Sequence, residues 1–178
     1  STRDKAEGTD IHSVMYPAMD KWRSETTGPV TSDVNHPNTD KPYFMCEYAH
    51  AMGNAVGNLR EYWEAMEGSK MGVGGCIWDL VDQSIYPYEA IRDNQLTRNG
   101  FPAYITGFDC PGPHQYNFVN NGLVNGDRKW SAELDEVKRI YQWVGFDLNK
   151  ATHQLKLTNK YLDSNLDKFY LKWTLLAD

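Results

Sequence analysis

A glutamate at the end of a short apolar run is the residue of this chain best placed for chemistry. Glu47 follows the apolar run Tyr43–Cys46, and a histidine and a turn-forming Gly-Asn pair come soon after it, at His50 and Gly53–Asn54. In an α/β protein, side chains at the carboxyl end of a strand point into a ligand crevice rather than into packing. A buried carboxylate persists mainly when it is paired or used. Glu47 is therefore either a catalytic residue or a structural ion-pair partner.

The cysteine next to Glu47 suggests a second chemistry, that of a thiol protease pair formed by Cys46 and His50. Neighbouring residues on a strand point to opposite sides, so we expect Cys46 to face away from Glu47. No third residue that would orient the histidine is evident in the sequence. We therefore discount the thiol pair.

Cysteine and histidine spacing predicts no metal or redox site. The three cysteines form no Cys-x-x-Cys pair, and Cys46 and Cys76 lie inside apolar runs, as small buried hydrophobic residues do. The other histidines also lack the spacing of metal ligands; they are His12, His36, His114 and His153. The cysteines do not demand an oxidising compartment.

The bulk composition excludes some partners. Acidic residues number 24 against 18 basic ones, for a net charge of −6, and no Lys/Arg cluster interrupts this balance. A nucleic-acid partner is therefore not expected. No run approaches the ~18 apolar residues of a membrane span, so no membrane partner is expected either. The aromatic content of 13% is high; aromatic faces can cover sugar rings, although core packing is their ordinary use.

Alternating apolar segments and amphipathic segments must position these side chains. The first part of the chain predicts strands over 11–15, 42–48 and 73–81, helices over 18–25 and 54–68, and a loop over 26–41. Asn54 could cap the second helix, and Gly68 ends it. The order is β–α–β–α–β with crossovers long enough for a parallel sheet. Three such units cannot close a barrel alone.

The second half of the chain predicts a long loop region followed by a change of period. Gly, Pro, Asn and Asp recur over 85–130, where binding residues often lie. A helix is expected over 131–143. The apolar period then switches to two, which predicts strands over 154–158 and 169–175 joined by a polar, hairpin-like linker over 159–168. So few strands cannot form a sandwich by themselves.

Several segments resemble the large β-galactosidases of glycoside hydrolase family 2. The matching segments, in the family's order, are Asp10–Pro17, Cys46–Asn54, Gly74–Ser84, Asn121–Val124 and Asp127–Arg128. The nine residues from Cys46 to Asn54 resemble the family's nucleophile segment and are the most specific of these matches. Gly74–Ser84 has the Gly-Gly-hydrophobic-hydrophobic-Trp-Asp pattern of the next barrel strand. Together the matches cover most of residues 9–142.

This resemblance implies an α/β fold made of the last three β/α units of a TIM barrel, followed by the beginning of an all-β sandwich domain. Residues 1–130 would be the C-terminal part of the catalytic (β/α)8 barrel with its post-barrel loop. Residues 131–145 would be a linking helix, and 146–178 the truncated start of the β-sandwich domain. The start without methionine and the abrupt end suggest a fragment of a longer chain.

The resemblance also implies roles for five residues. Glu47 would be the nucleophile of a retaining glycosidase, which needs two carboxyl groups about 5–5.5 Å apart. The hydroxyl of Tyr16 would donate a hydrogen bond to the nucleophile, and His50 would bind a sugar hydroxyl and stabilise the transition state. Trp78 would offer its face to the galactose ring, and Phe108 its carbonyl to a sodium ion. The alternatives are a buried structural glutamate for Glu47, a hydrogen-bonded structural histidine for His50, and ordinary packing for Tyr16 and Trp78.

The general acid is missing from the expected site. The family places it in an Asn-Glu pair on an earlier strand, and this chain has no Asn-Glu dipeptide. We therefore expect the segment alone to be inactive, and we predict no metal or other cofactor within it. The intact family enzyme would use magnesium near the missing acid and sodium near the galactose C6 hydroxyl. The sodium-binding Asp-Phe-Gly stretch is present only as a shifted version, Thr106–Asp109.

The resemblance predicts a retaining β-galactosidase that cleaves terminal non-reducing β-D-galactosides such as lactose through a galactosyl ester on the nucleophile. One alternative is a family relative acting on another β-glycoside, such as a glucuronide or fucoside. Another is a non-catalytic sugar-binding or assembly fragment. Exposed barrel edges favour association between copies, so a homo-oligomer is expected. The compartment stays open between a bacterial cytoplasm and periplasm.

Overall fold

The computed structural model describes residues 9–27, 41–87, 89, 92–93, 97–98, 101–102, 104–174 and 176. The chain divides into two compact units, Ser1–Ile140 and Tyr141–Asp178. No helix among the described residues has the length and apolar character needed to span a lipid bilayer.

A three-stranded parallel sheet organises the first unit. Its strands are β1 (His12–Met15), β2 (Tyr43–Tyr48) and β3 (Gly72–Ile77), in the order β1-β2-β3. Helix α1 (Met19–Thr27) follows β1, and helix α2 (Leu59–Glu67) joins β2 to β3. The predicted β–α–β–α–β order is confirmed. Most of the loop predicted over 26–41 lies outside the described residues.

Large side chains and glycines fit together between the sheet and its helices. Trp22 and Met45 have no exposed surface, and the Trp22 ring lies 4.9 Å from the Tyr43 ring. A Cβ on Gly75 would lie 3.0 Å from the Met45 Cβ and 3.1 Å from the Tyr48 ring. The glycine-rich start of β3 therefore follows from the bulk of the residues packed against it.

Helix α2 begins later than its sequence predicts. Its N-terminal flanking residue is Asn58, in the left-handed region at φ 60° and without a side-chain cap, so the prediction that Asn54 caps the helix is wrong. Ala51 and Val56 are 5% and 3% exposed, and Ala51 N–H donates to the Trp78 carbonyl. The chain is thus anchored in the core over these residues before the helix begins.

The region predicted as a long loop contains only short regular elements among its described residues. Strands β4 (Thr97–Arg98) and β5 (Phe101–Pro102) pair antiparallel, and Gly107–Asp109 form a 3-10 turn. Helix α3 (Ala132–Ile140) lies within the helix predicted over 131–143 and contacts α2.

The second unit is built on an antiparallel hairpin of β6 (Val144–Asn149) and β7 (Gln154–Asn159). A strand over 154–158 is confirmed, but its expected partner is wrong, because 169–174 form no strand. The Asn149 Oδ1 accepts the N–H groups of Ala151 and Thr152 at 3.0 and 3.1 Å. This tight asparagine turn pairs neighbouring segments at a lower loop-closure cost than the distant segment requires.

Candidate active site

The carboxyl ends of the three parallel strands meet at one edge of the sheet. Tyr16 N–H donates to the Glu47 carbonyl at 2.8 Å, and Trp78 N–H donates to the Tyr48 carbonyl at 3.1 Å. Each bond joins a residue just after one strand to the neighbouring strand. Tyr16, Glu47 and Trp78 therefore share this edge, because parallel strands end on the same side.

A bulge in β2 places the glutamate. Val14 pairs with Met45, whereas the next residue, Met15, pairs with Glu47, so Cys46 is an extra residue. The Cys46 Sγ lies 3.2 Å from the Val14 carbonyl oxygen. Strict alternation, on which the expected orientation of Cys46 depends, is therefore interrupted at this point. Such a bulge re-aims the side chains beside it.

The phenol of Tyr16 is the hydrogen-bond partner of Glu47. Partial burial of the hydroxyl, the negative charge of Glu47, the hydrogen bond to Glu47 and the nearby Cys46 together raise the pKa of Tyr16 to about 12. Tyr16 lies in the left-handed region at φ 46°, a conformation uncommon for residues other than glycine. At neutral pH this phenol is protonated and donates to the Glu47 carboxylate.

His50 offers a polar atom without a protein partner. Its Nε2 is buried and makes no hydrogen bond to any residue that the structure describes. The imidazole lies near two aromatic rings; its centroid is 6.2 Å from that of Tyr16 and 5.2 Å from that of Phe118. An unsatisfied buried polar group costs about 1–3 kcal/mol, so such groups commonly have a water or ligand partner. The histidine is thus suited to bind a polar ligand at this edge.

Phe118 is a residue of this edge that sequence reasoning missed. Its placement depends on the loop that follows it: Gln83 N–H donates to the Val119 carbonyl at 2.8 Å, and Asp79 N–H donates to the Asn121 carbonyl at 2.6 Å. Asn121 is fully buried, and its Nδ2 lies 3.3 Å from the Phe118 carbonyl. The available signal was the position of Phe118 just before the Asn-Gly-Leu-Val match.

Phe108, the phenylalanine that the sequence predicts for the site, lies in an aromatic group of its own. Its ring is 5.9 Å from His114 and 5.2 Å from Tyr116, and the residue is 57% exposed. No ring contact or hydrogen bond within the described residues joins Phe108 to His50. Its role as a carbonyl ligand stays a prediction.

Trp78 is partly buried, and its backbone connects two parts of the site. Its N–H donates to the Tyr48 carbonyl, and its carbonyl accepts the Ala51 N–H at 2.7 Å. The backbone of Trp78 therefore anchors the segment that carries His50. Its predicted contact with a sugar ring stays a prediction.

Metal ligands do not gather in the described part of the chain. No group of three or more His, Cys, Asp or Glu residues within it could hold a metal ion. Two amide oxygens, Asn120 Oδ1 and Asn121 Oδ1, are buried without a hydrogen-bond partner among the described residues.

Comparisons with known proteins identify the family of this chain. The family described as glycosyl hydrolases family 2, TIM barrel domain, matches residues 4–146. A beta-galactosidase of Priestia megaterium (strain DSM 319 / IMG 1521) is 36% identical over 143 residues, which cover 78% of this chain. The match covers 13% of that relative's length.

Proposed function

Because the chain belongs to glycosyl hydrolase family 2, we propose that it carries the nucleophile, Glu47, of a retaining β-galactosidase. The full-length protein would hydrolyse terminal non-reducing β-D-galactosides such as lactose. The observation that carries this proposal is the placement of Glu47 at a strand end, where the Tyr16 phenol is its hydrogen-bond partner.

The reaction proceeds in two displacements. The Glu47 carboxylate attacks the anomeric carbon while the bond to the leaving oxygen breaks, and a carboxylic acid protonates that oxygen. Water activated by the same group then hydrolyses the galactosyl ester and releases galactose. The Tyr16 hydroxyl donates to the carboxylate, so it holds Glu47 oriented for attack.

The residues beside the nucleophile would hold the sugar. The buried Nε2 of His50 has no protein partner within the described chain, and a sugar hydroxyl would satisfy it. In the oxocarbenium-like transition state this contact would strengthen. Trp78 would cover the apolar face of galactose near C6, as aromatic rings do with sugar C–H surfaces.

The general acid would come from another part of the longer protein. The chain contains no Asn-Glu pair, and it spans only 13% of the length of the relative. We therefore propose that these three β/α units are the last three of the barrel and that the 178 residues alone do not turn over substrate. The unit from Tyr141 onward would begin a β-sandwich domain.

For the sodium ion expected of the intact family enzyme we propose an oxygen donor in this segment, although the sequence by itself predicts no metal within it. Asn121 Oδ1 is buried without a partner among the described residues, and oxygen is the ligand that hard cations prefer. The carbonyl of Phe118 or the predicted one of Phe108 would complete the donor set. A bound sodium would supply positive charge for a sugar hydroxyl. Magnesium would bind near the general acid, outside this segment.

A covalent label tests the proposed nucleophile. The full-length protein is treated with a 2-deoxy-2-fluoro galactoside carrying a good leaving group, and the labelled peptide is mapped by mass spectrometry. We expect the adduct on Glu47. Glu47→Gln should lower kcat for an aryl β-galactoside on the order of 10³-fold or more, because the covalent step is lost. The surface variant Glu67→Gln is the control.

An adduct on a different residue would contradict the nucleophile assignment. Faster cleavage of aryl glucuronides or fucosides than galactosides would favour a family relative with another sugar. Galactose binding in calorimetry without turnover would indicate a non-catalytic sugar-binding protein.

A further inference from the structure

A loop lies along the continuation of β3 and forms what we call the clasp, residues 118–126 paired with residues 79–84. Val81 and Val124 pair in parallel. Four backbone bonds of the clasp complete this pairing: Asp79 N to Asn121 O, Leu123 N to Asp79 O, Val124 N to Leu80 O and Asp82 N to Val124 O, all between 2.6 and 3.0 Å. The clasp is therefore held by backbone hydrogen bonds to the residues that follow β3.

Two glycines mark the places where the clasp brings backbone against backbone. A Cβ on Gly122 would lie 2.1 Å from the Asp82 nitrogen, and one on Gly126 would lie 2.9 Å from the Ser84 carbonyl oxygen. Neither distance leaves room for a side chain. The two backbones are close enough for one carboxylate to reach the amides of both Gly122 and Gly126.

Asp82 is that carboxylate. Its Oδ1 accepts the Gly122 N–H at 2.8 Å, and the Gly126 N–H also donates to the carboxylate. Burial raises the pKa of Asp82, the two backbone bonds oppose that rise, and the carboxylates of Asp79 and Asp127 add to it. The carboxylate of Asp82 is partly buried, so the two amide bonds offset its desolvation cost.

The clasp leads directly to the candidate site. Its first residue, Phe118, has its ring 5.2 Å from His50 at an angle of 33°. The Gln83 N–H donates to the carbonyl oxygen of the next residue, Val119, at 2.8 Å. Asp82 therefore binds the clasp near one end. At the other end Phe118 packs on His50, whose Nε2 has no partner in the described chain.

We propose that Asp82 is a positioning residue: by binding the amides of Gly122 and Gly126, it holds Phe118 against His50 and so fixes the imidazole for the sugar. This inference rests on the proposed function, because its kinetic consequence is on galactoside cleavage. Asp82 itself does not touch the substrate. Its effect passes through the clasp and Phe118.

The first arm of the test is independent of activity. Hydrogen exchange in the full-length protein is compared for wild type, Asp82→Ala and Asp82→Asn, over peptides covering 119–126. We expect faster exchange of this segment in Asp82→Ala, because the Gly122 and Gly126 amides lose their acceptor. Asp82→Asn keeps one acceptor oxygen and should give an intermediate exchange rate.

The second arm measures kcat and KM separately with an aryl β-galactoside. Asp82→Ala should lower kcat about 10- to 100-fold, as expected when a catalytic-site group loses its fixed orientation. Asp82→Asn should recover part of that loss. Adding Asp82→Ala to Phe118→Ala should lower kcat by less than the product of the two single effects, because both changes release the same imidazole.

The matched control is Asp127→Asn. Asp127 directly follows the clasp and its side chain is 5% exposed, but its ion pair is with Lys129 at 2.9 Å. This variant should lower thermal stability and leave kcat close to wild type. A kcat loss equal to that of Asp82→Asn would indicate general destabilisation and would overturn the positioning role.

Other results would also overturn the proposal. Unchanged exchange over 119–126 in Asp82→Ala would show that the clasp does not depend on this carboxylate. Multiplicative effects in the Asp82 and Phe118 double variant would show that the two residues act separately. A wild-type protein without glycosidase activity would instead refute the proposed function, and the kinetic part of this inference would fall with it.

Discussion

At the scale of single residues, the candidate site depends on a phenol that stays neutral beside a carboxylate. The pKa of Tyr16 is raised to about 12, first by burial and then by Glu47. The phenol is therefore a donor over the whole pH range in which a glycosidase works. The Glu47 carboxylate has the Tyr16 phenol as its hydrogen-bond partner. The Nε2 atom of His50 has no partner among the described residues and can bind a ligand.

Tyr16→Phe should lower kcat of the full-length protein roughly 10- to 100-fold, since a hydrogen bond to a charged group contributes about 1.5–3 kcal/mol. Steady-state kinetics with an aryl β-galactoside checks this. Tyr161→Phe, in the second unit, is the control and should keep wild-type kcat. Equal kcat values for the two variants would contradict the role of Tyr16.

The raised pKa of Tyr16 also predicts a pH effect on stability. In the unfolded chain a tyrosine ionises near pH 10, whereas in the native site Tyr16 ionises near 12. The native state thus favours the neutral phenol, and its contribution is complete below about pH 10 and lost as the pH rises from about 10 to 12.

The absorbance of tyrosinate during a pH titration measures the pKa of Tyr16 in the folded protein. The difference between the titrations of native wild type and Tyr16→Phe should show one tyrosine ionising near pH 12. A difference curve centred near pH 10 would mean that Tyr16 is not perturbed.

At the scale of the elements, backbone irregularities place the site residues. The bulge at Cys46 re-aims Glu47, and the segment before α2 is anchored through Ala51 to the Trp78 carbonyl. Glycines in β3 allow the strand to approach Met45 and Tyr48 closely. These features interrupt the regular strand and helix geometry, and they place the side chains at the strand ends.

Gly75→Ala tests the close approach of β3 to β2. The new Cβ would lie 3.0 Å from the Met45 Cβ and 3.1 Å from the Met45 carbonyl oxygen, so we expect destabilisation of about 1–3 kcal/mol from overpacking. Gly57→Ala is the control, because a Cβ there meets nothing within 4 Å; it should be neutral or stabilising by about 0.4–1 kcal/mol.

Thermal unfolding of the full-length protein compares the two variants. The transition of Gly75→Ala should come at a lower temperature than wild type, and that of Gly57→Ala should not. Similar transition temperatures for both variants would show that β2 and β3 are not closely packed at Gly75.

At the scale of the whole molecule, the chain presents much apolar surface. Phe146, Leu148, Leu155 and Leu157 form directly opposed pairs on the β6–β7 hairpin, and each is at least 40% exposed. A groove of about 950 Å³ beside them is lined in part by Trp173. Apolar surface of this extent favours association.

We expect the 178-residue chain to associate with copies of itself in solution. Light scattering should give a mass above the 20.4 kDa of the monomer. Leu157→Lys should reduce association, because it places a charge on the apolar face, whereas Thr158→Lys lies on the opposite face of the hairpin and should not. A monomeric mass for wild type would contradict this expectation.

The same 178 residues should not hydrolyse an aryl β-galactoside, because the chain lacks the Asn-Glu pair that would supply the acid. The assay needs a full-length preparation as its positive control. Turnover by the segment that is abolished by Glu47→Gln would mean that a general acid lies within this chain after all.

Local patterns in the sequence predict the order of strands and helices, because the period of apolar residues reports which face each segment buries. They also predict that the three strands run parallel, and in the folded chain the ends that carry Tyr16, Glu47 and Trp78 then lie at one edge. The bulge at Cys46, the partner of β7, and the contact of Phe118 with His50 depend on which distant segments meet and in what register. The local period of apolar residues does not encode that choice. It depends on the close backbone approach at Gly122 and on hydrogen bonds between remote residues, which form only when the chain folds.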